Sequence, residues 1–293
     1  MLEKYINYLS CVKGLSDNTV KSYKADLKEF FSYFEAKQFD EITRPDIEEF
    51  VVSLAKSGNS AASRARKISS IKGIFKWAFE NKMISENPCD KIASTKVPVK
   101  EAKVMTREEV AQLINQAKVD AYSSGKAEDF RNLAILSFML YSGIRRSEIV
   151  EVKIYDMNME SNAVIIHGKG NKERIAYFNN ATAEIIGKYL EEKRPEISNS
   201  DKSEYLFPTG QSDKMCPASI NLIVDRYLKE AGLKEKGYTV HDTRRVFATT
   251  VYSNTGDIIA VQRLLGHSSP SVTMRYIGAD EESKRVAAMS VEF

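Results

Sequence analysis

The sequence predicts a mainly α protein with a small β-sheet, divided into an all-α N-terminal domain and a larger α+β domain. Three features support this. Apolar residues recur at three- and four-residue spacing through the first part of the chain. The period drops to two in a pair of short runs that flank a glycine-rich turn. A stretch without periodicity, residues 89–105, separates the first helices from the rest, and 293 residues suffice for two cores.

The elements follow in order. Leu2, Tyr5, Ile6 and Leu9 form one helical stripe. Tyr23, Leu27, Phe30, Phe31 and Phe34 form a second, opened by the capping cluster Ser16-Asp17-Asn18. Thr43 and Pro45 open a third helix carrying Ile47, Phe50, Val51 and Leu54, and Ser57-Gly58-Asn59 closes it. A fourth covers residues 60–81 with Ile68, Ile71, Phe75, Ala78 and Phe79 facing inward, and Asn87-Pro88 stops it. Residues 1–88 therefore read as a helical domain, and 89–105, with Pro98 and interleaved Lys and Val, as a linker. Within 106–293, Thr106-Arg107-Glu108-Glu109 has the pattern of a capping box. The apolar run 130–141 predicts a buried helix, broken at Ser142-Gly143, and helical spacing resumes over 145–150. Residues 163–167 and 174–178 read as strands joined by Gly168-Lys169-Gly170-Asn171-Lys172. Helices return from Ala181, interrupted at Pro195, at Pro208-Thr209-Gly210 and near Gly237. No internal repeat is visible.

A net charge of +3 identifies no partner by itself, so clustering is what counts. Arg64, Arg66, Lys67, Lys72, Lys76 and Lys82 stand against the single acid Glu80 within residues 64–82. Cys11, Cys89 and Cys216 are isolated, with no CxxC or Cys/His ligand spacing. That argues against disulfides and a structural metal, and for a reducing, cytoplasmic setting. No run approaches the roughly 20 apolar residues of a membrane span. The first residues begin an amphipathic helix instead of a cleavable leader.

Two of the three histidines lie in chemically loaded company near the end of the chain: His241-Asp242-Thr243-Arg244, then Gly266-His267 with Tyr276 beyond it. His241 and Arg244, three apart, share a helix face and can grip one small anion. His267 and Tyr276 can complete a phosphate site that holds a nucleophile. Singly, each residue has a plainer reading. Arg145 pairs with Glu148, Lys169 is a solvated turn residue, the histidines are structural or capping groups, and Tyr276 packs in a core. Their coincidence argues for phosphoryl transfer through a tyrosine.

Taken in order, Arg145 in Ser142-Gly143-Ile144-Arg145-Arg146-Ser147-Glu148, the Gly168-Lys169-Gly170 turn, His241-x-x-Arg244, Gly266-His267 and Tyr276 resemble the catalytic set of the tyrosine recombinase (phage integrase) family. The resemblance extends over nearly the whole chain, whose length is similar to that of short Xer-type members. It implies an N-terminal core-binding (SAM-like) domain and a catalytic domain. It also makes Arg145, Lys169, His241, Arg244, His267 and Tyr276 the catalytic residues, with Lys172 a rival for Lys169. The implied reaction uses neither metal nor ATP, and each role has a physical reason. A phenol with a pKa of about 10 needs a neighbour to take its proton. Two guanidiniums clamp the non-bridging oxygens as charge builds on them. His241 suits acid–base work and His267 a hydrogen bond to the phosphate. Lys169 can protonate the leaving 5′-oxygen, leaving a 3′-phosphotyrosine.

In such a domain the basic run reads as DNA-backbone contact through Arg64, Arg66, Lys67, Lys72 and Lys76, over the plainer reading of a solvated face. The implied substrate is duplex DNA with a short inverted-repeat core site. The implied assembly is a homotetramer on synapsed DNA and a monomer when free, coupled through the apolar tail Ile277, Val286, Ala287, Met289, Val291 and Phe293. Ile277-Gly278 departs from the hydroxyl or histidine more common after the nucleophile in Xer-type members. That points to a mobile-element integrase ahead of a housekeeping role. A type IB topoisomerase shares the tyrosine chemistry but does not need the apolar tail. A non-catalytic DNA-binding regulator does not need the nucleophile.

Overall fold

The computed structural model describes residues 1–98, 103–168, 173–267, 269, 273 and 274. The chain forms two compact units, Met1–Lys100 and Glu101–Phe293, each with its own core.

The described residues of the first unit fold as α1 (Leu2–Asn7, continued by a wide turn through Val12), α2 (Asp17–Tyr33), α3 (Arg44–Lys56) and α4 (Ala61–Glu80). α3 starts where Thr43 meets Asp46: the Thr43 amide and hydroxyl donate to Asp46 Oδ2 at 2.8 and 2.7 Å. Lys37 donates to the other carboxylate oxygen at 2.5 Å, and with the Thr43 bonds it holds the Asp46 carboxyl down at about 2. Ser60 caps α4 by accepting from the Ser63 amide at 3.1 Å. Leu9, Leu27, Phe30, Ile47, Phe50, Ile71, Ile74 and Phe75 form the buried centre, where Phe30 meets Phe50 edge-on at 5.1 Å.

Two expectations are corrected here. Phe79, expected on the inner side of α4, is 44% exposed, while Ile74 and Trp77 are buried. The reason is the α1 segment, whose Tyr5 and Tyr8 rings lie 5.4 and 5.7 Å from Trp77 and cover that side of the helix. The stretch expected as a linker from residue 89 is irregular but packs, at its start, on this core. Cys89 and Ile92 belong to this core, and Lys72 Nζ donates to the Ile92 carbonyl at 2.5 Å.

In the second unit, α5 (Arg107–Ser124) opens on a reciprocal cap. The Thr106 amide donates to Glu109 Oε2 at 2.8 Å and the Glu109 amide to Thr106 Oγ1 at 3.3 Å. α6 (Ala127–Ser142) is buried on nearly every side and packs against α5 and against the later helices Asn180–Lys188 and Val240–Thr255. It begins three residues before the apolar run starts at Phe130, since its first turn is partly polar. After α7 (Arg146–Ile149) come β1 (Met157–Asn158), β2 (Ala163–His167) and β3 (Glu173–Tyr177), an antiparallel sheet in the order β1-β2-β3. β1 is too short to leave a period in the sequence. The register sets Ile166 opposite Arg174 and His167 opposite Glu173. α8 (Asn180–Lys188), α9 (Pro217–Glu230), α10 (Val240–Thr255) and α11 (Ile258–Leu265) follow the sheet. Among the described residues no helix is long and apolar enough to cross a membrane.

Candidate active site

The site is assembled from helix ends. α6 stops at Gly143, whose φ of +62° is the left-handed cap geometry that favours glycine. A Cβ there would lie 2.4 Å from Phe247 Cδ1 and 2.9 Å from Leu265 Cδ2. The break places Arg145 at the start of α7. Its amide donates to Glu148 Oε2 at 2.9 Å and its Nη1 to Glu148 Oε1 at 2.6 Å, while the side chain stays 40% exposed.

α10 starts with Thr239, whose amide and hydroxyl donate to Asp242 Oδ2 at 2.7 and 2.9 Å. This cap sets His241, exposed, in the first turn and Arg244, buried, one turn later. Arg244 Nη1 donates to the Gly143 carbonyl and Nη2 to the Leu265 carbonyl. One of these carbonyls caps α6 and the other closes α11, and a cation is favoured at such helix ends. Two backbone anchors leave the guanidinium plane little freedom.

α11 ends at Gly266, and His267 follows, buried, with Nδ1 sharing a hydrogen bond with Thr273 Oγ1 at 2.9 Å. Burial first, then the positive charges of Arg244, Arg145 and Arg174, push the His267 pKa down to about 4. The ring is therefore neutral at neutral pH. His241 is also lowered, by desolvation and then by Arg146.

Arg145, Arg244 and His267 thus come together, and two residues that sequence reasoning did not place in the site join them. Arg174 of β3 donates from Nη2 to Glu148 Oε2 at 2.8 Å and from Nε to the Leu264 carbonyl at 3.3 Å. Glu148 lies between the two arginines. Burial alone would raise its pKa, but Arg174 and Arg145 hold it below the usual carboxylate range. Glu148 had been visible only as an ion-pair partner of Arg145. A signal for Arg174 existed: it occupies the inward phase of a strand, opposite buried Ile166, where an apolar residue is the rule. Thr273, the partner of His267, left no signal. Lys169, its rival Lys172, Tyr276 and the apolar tail lie outside the described residues.

The basic run on α4 does not form one uniform patch. Lys76 is 71% exposed, with Glu80 at 3.8 Å. Arg66, half-exposed, pairs with Asp26 and with Ser22 Oγ at 2.9 Å. Arg64 donates to the Asn59 carbonyl at 2.5 Å, and Lys72 to Ile92 as above. Lys67 is buried, donating to Glu29 Oε1 at 2.6 Å and Asn59 Oδ1 at 3.1 Å. In this arrangement it anchors α4 internally.

Residues 103–283 match the phage integrase family, and residues 2–82 match the phage integrase N-terminal SAM-like domain. Tyrosine recombinase XerC of Caldanaerobacter subterraneus subsp. tengcongensis is 32% identical, over 98% of this chain and 85% of that protein. Tyrosine recombinase XerD of Staphylococcus epidermidis is 31% identical, over 94% of this chain and 92% of that protein. Among solved structures, XerH bound to a palindromic difH substrate in a post-cleavage complex superposes with a TM-score of 0.78 at 22% identity, over 99% of this chain and 83% of that one. A lambda integrase dimer bound to a COC′ core site gives 0.73 at 18% identity, over 96% and 95%. At those identities the two structures establish the fold.

Proposed function

The chain belongs to the phage integrase family and is a site-specific tyrosine recombinase, a DNA strand-exchange enzyme; from that premise we propose how its own residues divide the work. Tyr276 attacks the scissile phosphorus, and a 3′-phosphotyrosine bond forms as the bond to the 5′-oxygen breaks. His241, its pKa already lowered, takes the phenolic proton, and Lys169 gives a proton to the departing oxygen. Arg145 and Arg244 hold the non-bridging oxygens. In the tautomer that accepts the Thr273 hydroxyl at Nδ1, His267 carries its proton on Nε2 and donates it to the phosphate. The covalent bond stores the energy for attack by the 5′-hydroxyl of another strand, and two such rounds pass through a Holliday junction.

The observation that carries this reading is the anchoring of Arg244. A guanidinium tied to the backbone carbonyls of Gly143 and Leu265, beside a neutral His267, is a phosphate seat built before substrate arrives. Incubation with nicked half-site DNA should trap a protein–DNA adduct that survives denaturant. Tyr276→Phe should bind the same DNA and form none. An adduct with that variant, or a labelled peptide containing another tyrosine, would overturn the assignment.

The substrate we propose is duplex DNA with a short inverted-repeat core site. Lys76, Arg66, Arg64 and Lys72 supply backbone contacts from α4, and exposed Lys76 is the most accessible of them. On synapsed DNA the chain would assemble as a homotetramer through its apolar tail and be a monomer when free. For the biological role, Ile277-Gly278 supports a mobile-element integrase. The near-complete coverage of XerC and XerD relatives supports a second reading, a Xer-type role. Recombination assays on element-end sites and on a chromosomal site separate the two.

A further inference from the structure

We propose that Arg174 is a positioning residue for Arg145: by occupying one oxygen of Glu148 it prevents that carboxylate from capturing the whole Arg145 fork. The proposal rests on the reading of Arg145 as a phosphate clamp.

The geometry is a matter of lone pairs. A carboxylate oxygen accepts two hydrogen bonds in its plane. Glu148 Oε2 already takes two donors, the Arg145 amide at 2.9 Å and Arg174 Nη2 at 2.8 Å. Only Oε1 remains for the Arg145 side chain, which reaches it through Nη1 alone at 2.6 Å. A guanidinium facing a carboxylate otherwise favours two parallel bonds. With Oε2 occupied, Arg145 is held by one corner and its other donors are left for an anion in front.

The placement of Arg174 suits this role and not substrate contact. Its side chain is 14% exposed and that of Glu148 10%, against 40% for Arg145, so the pair lies behind the arginine that faces solvent. Arg174 is itself fixed at both ends. Nε donates to the Leu264 carbonyl at 3.3 Å, and the aliphatic stem passes over Gly266, where a Cβ would come within 2.8 Å of Arg174 Cδ. Gly266, at φ +63°, therefore closes α11 and makes room for Arg174. The same side chain thus ties the strand after the Lys169 turn to the helix end that leads into His267.

The test is single-turnover cleavage of a nicked half-site by Arg174→Met, Arg174→Lys, Glu148→Gln and the double variant Arg174→Met/Glu148→Gln, with half-site binding measured in parallel. Arg174→Met should bind DNA and cleave roughly 100-fold more slowly, the scale of losing one preorganised donor. Arg174→Lys, which keeps a cation on Oε2, should stay within about tenfold of wild type. The double variant should recover most of the rate lost by Arg174→Met, because a neutral amide cannot hold both arms of the fork. A purely structural Arg174 gives the opposite, a double variant as slow as the single one or slower. That result, or Arg174→Lys as slow as Arg174→Met, overturns the proposal. A 5′-thio leaving group should not rescue Arg174→Met, since the defect is in the clamp. If the wild-type protein forms no adduct at all, the clamp reading fails separately. A crystal structure of Arg174→Met then still decides the geometry: Arg145 bidentate on Glu148 supports the inference, and an unchanged single contact removes it.

Discussion

His267 and His167 lie in one unit and titrate in opposite directions. Buried among arginines, His267 is pushed down to about 4. His167, at the end of β2, is raised by Asp156 at 3.0 Å and by Glu173 at 3.0 Å. For His267 the folded pKa lies below the unfolded value of about 6.5, so its contribution to stability is complete above that value. It is lost as pH falls from there toward 4. For His167 the sign reverses: its contribution is complete below about 6.5 and is lost as pH rises through its raised folded pKa. Proton NMR titration should show the His267 ring still neutral at pH 5 and the His167 ring titrating above its ordinary value. A charged His267 at pH 6 would contradict the site geometry. Arg244 yields a second prediction at this scale. Arg244→Lys should abolish cleavage and cost about 1–3 kcal/mol of stability in urea titration, because one ammonium cannot serve the Gly143 and Leu265 carbonyls together.

At the scale of elements, the break after α6 decides whether a site exists. Gly143→Ala forces a side chain into the left-handed region and against Phe247 and Leu265. A loss of about 1–3 kcal/mol is expected, with cleavage falling further than DNA binding, since α10 and α11 would shift around Arg244. Equilibrium unfolding and half-site cleavage of the same variant measure both. Much of this level was legible in the sequence. Thr43 and Thr106 begin helices where their side chains predicted, and the change of period located β2 and β3. Phe79 was misplaced because α4 carries apolar residues on more than one side, and periodicity cannot say which side α1 will cover.

At the scale of the whole molecule, each unit has its own core, so each is expected to fold without the other. A fragment of residues 1–98 should unfold cooperatively by circular dichroism. A fragment ending at residue 88 should be less stable by about 2–4 kcal/mol, having lost buried Cys89 and Ile92 and the carbonyl that Lys72 uses. Equal stability of the two fragments would return residue 89 to the linker. The tail makes a separate prediction. Deletion from Val286 onward should leave folding and single-site binding nearly intact and abolish tetramer formation and recombination, as read by light scattering with a full site. A truncated protein that still assembles would rule out docking through the tail.

The sequence by itself determined the helical first domain, the hairpin, the family and the residues proposed for catalysis. Each of these is written in spacing along the chain: three or four for a helix face, two for a strand, and an ordered set of motifs for the chemistry. Tertiary structure alone decided that Arg244 is anchored by the Gly143 and Leu265 carbonyls, that His267 is neutral, that Lys67 is turned inward, and that Glu148 is shared by Arg145 and Arg174. Most of these contacts join residues far apart in the chain, 21, 26, 38 and 101 positions. Their energies depend on burial and on which partner reaches a given oxygen first, and neither quantity has a period in the chain.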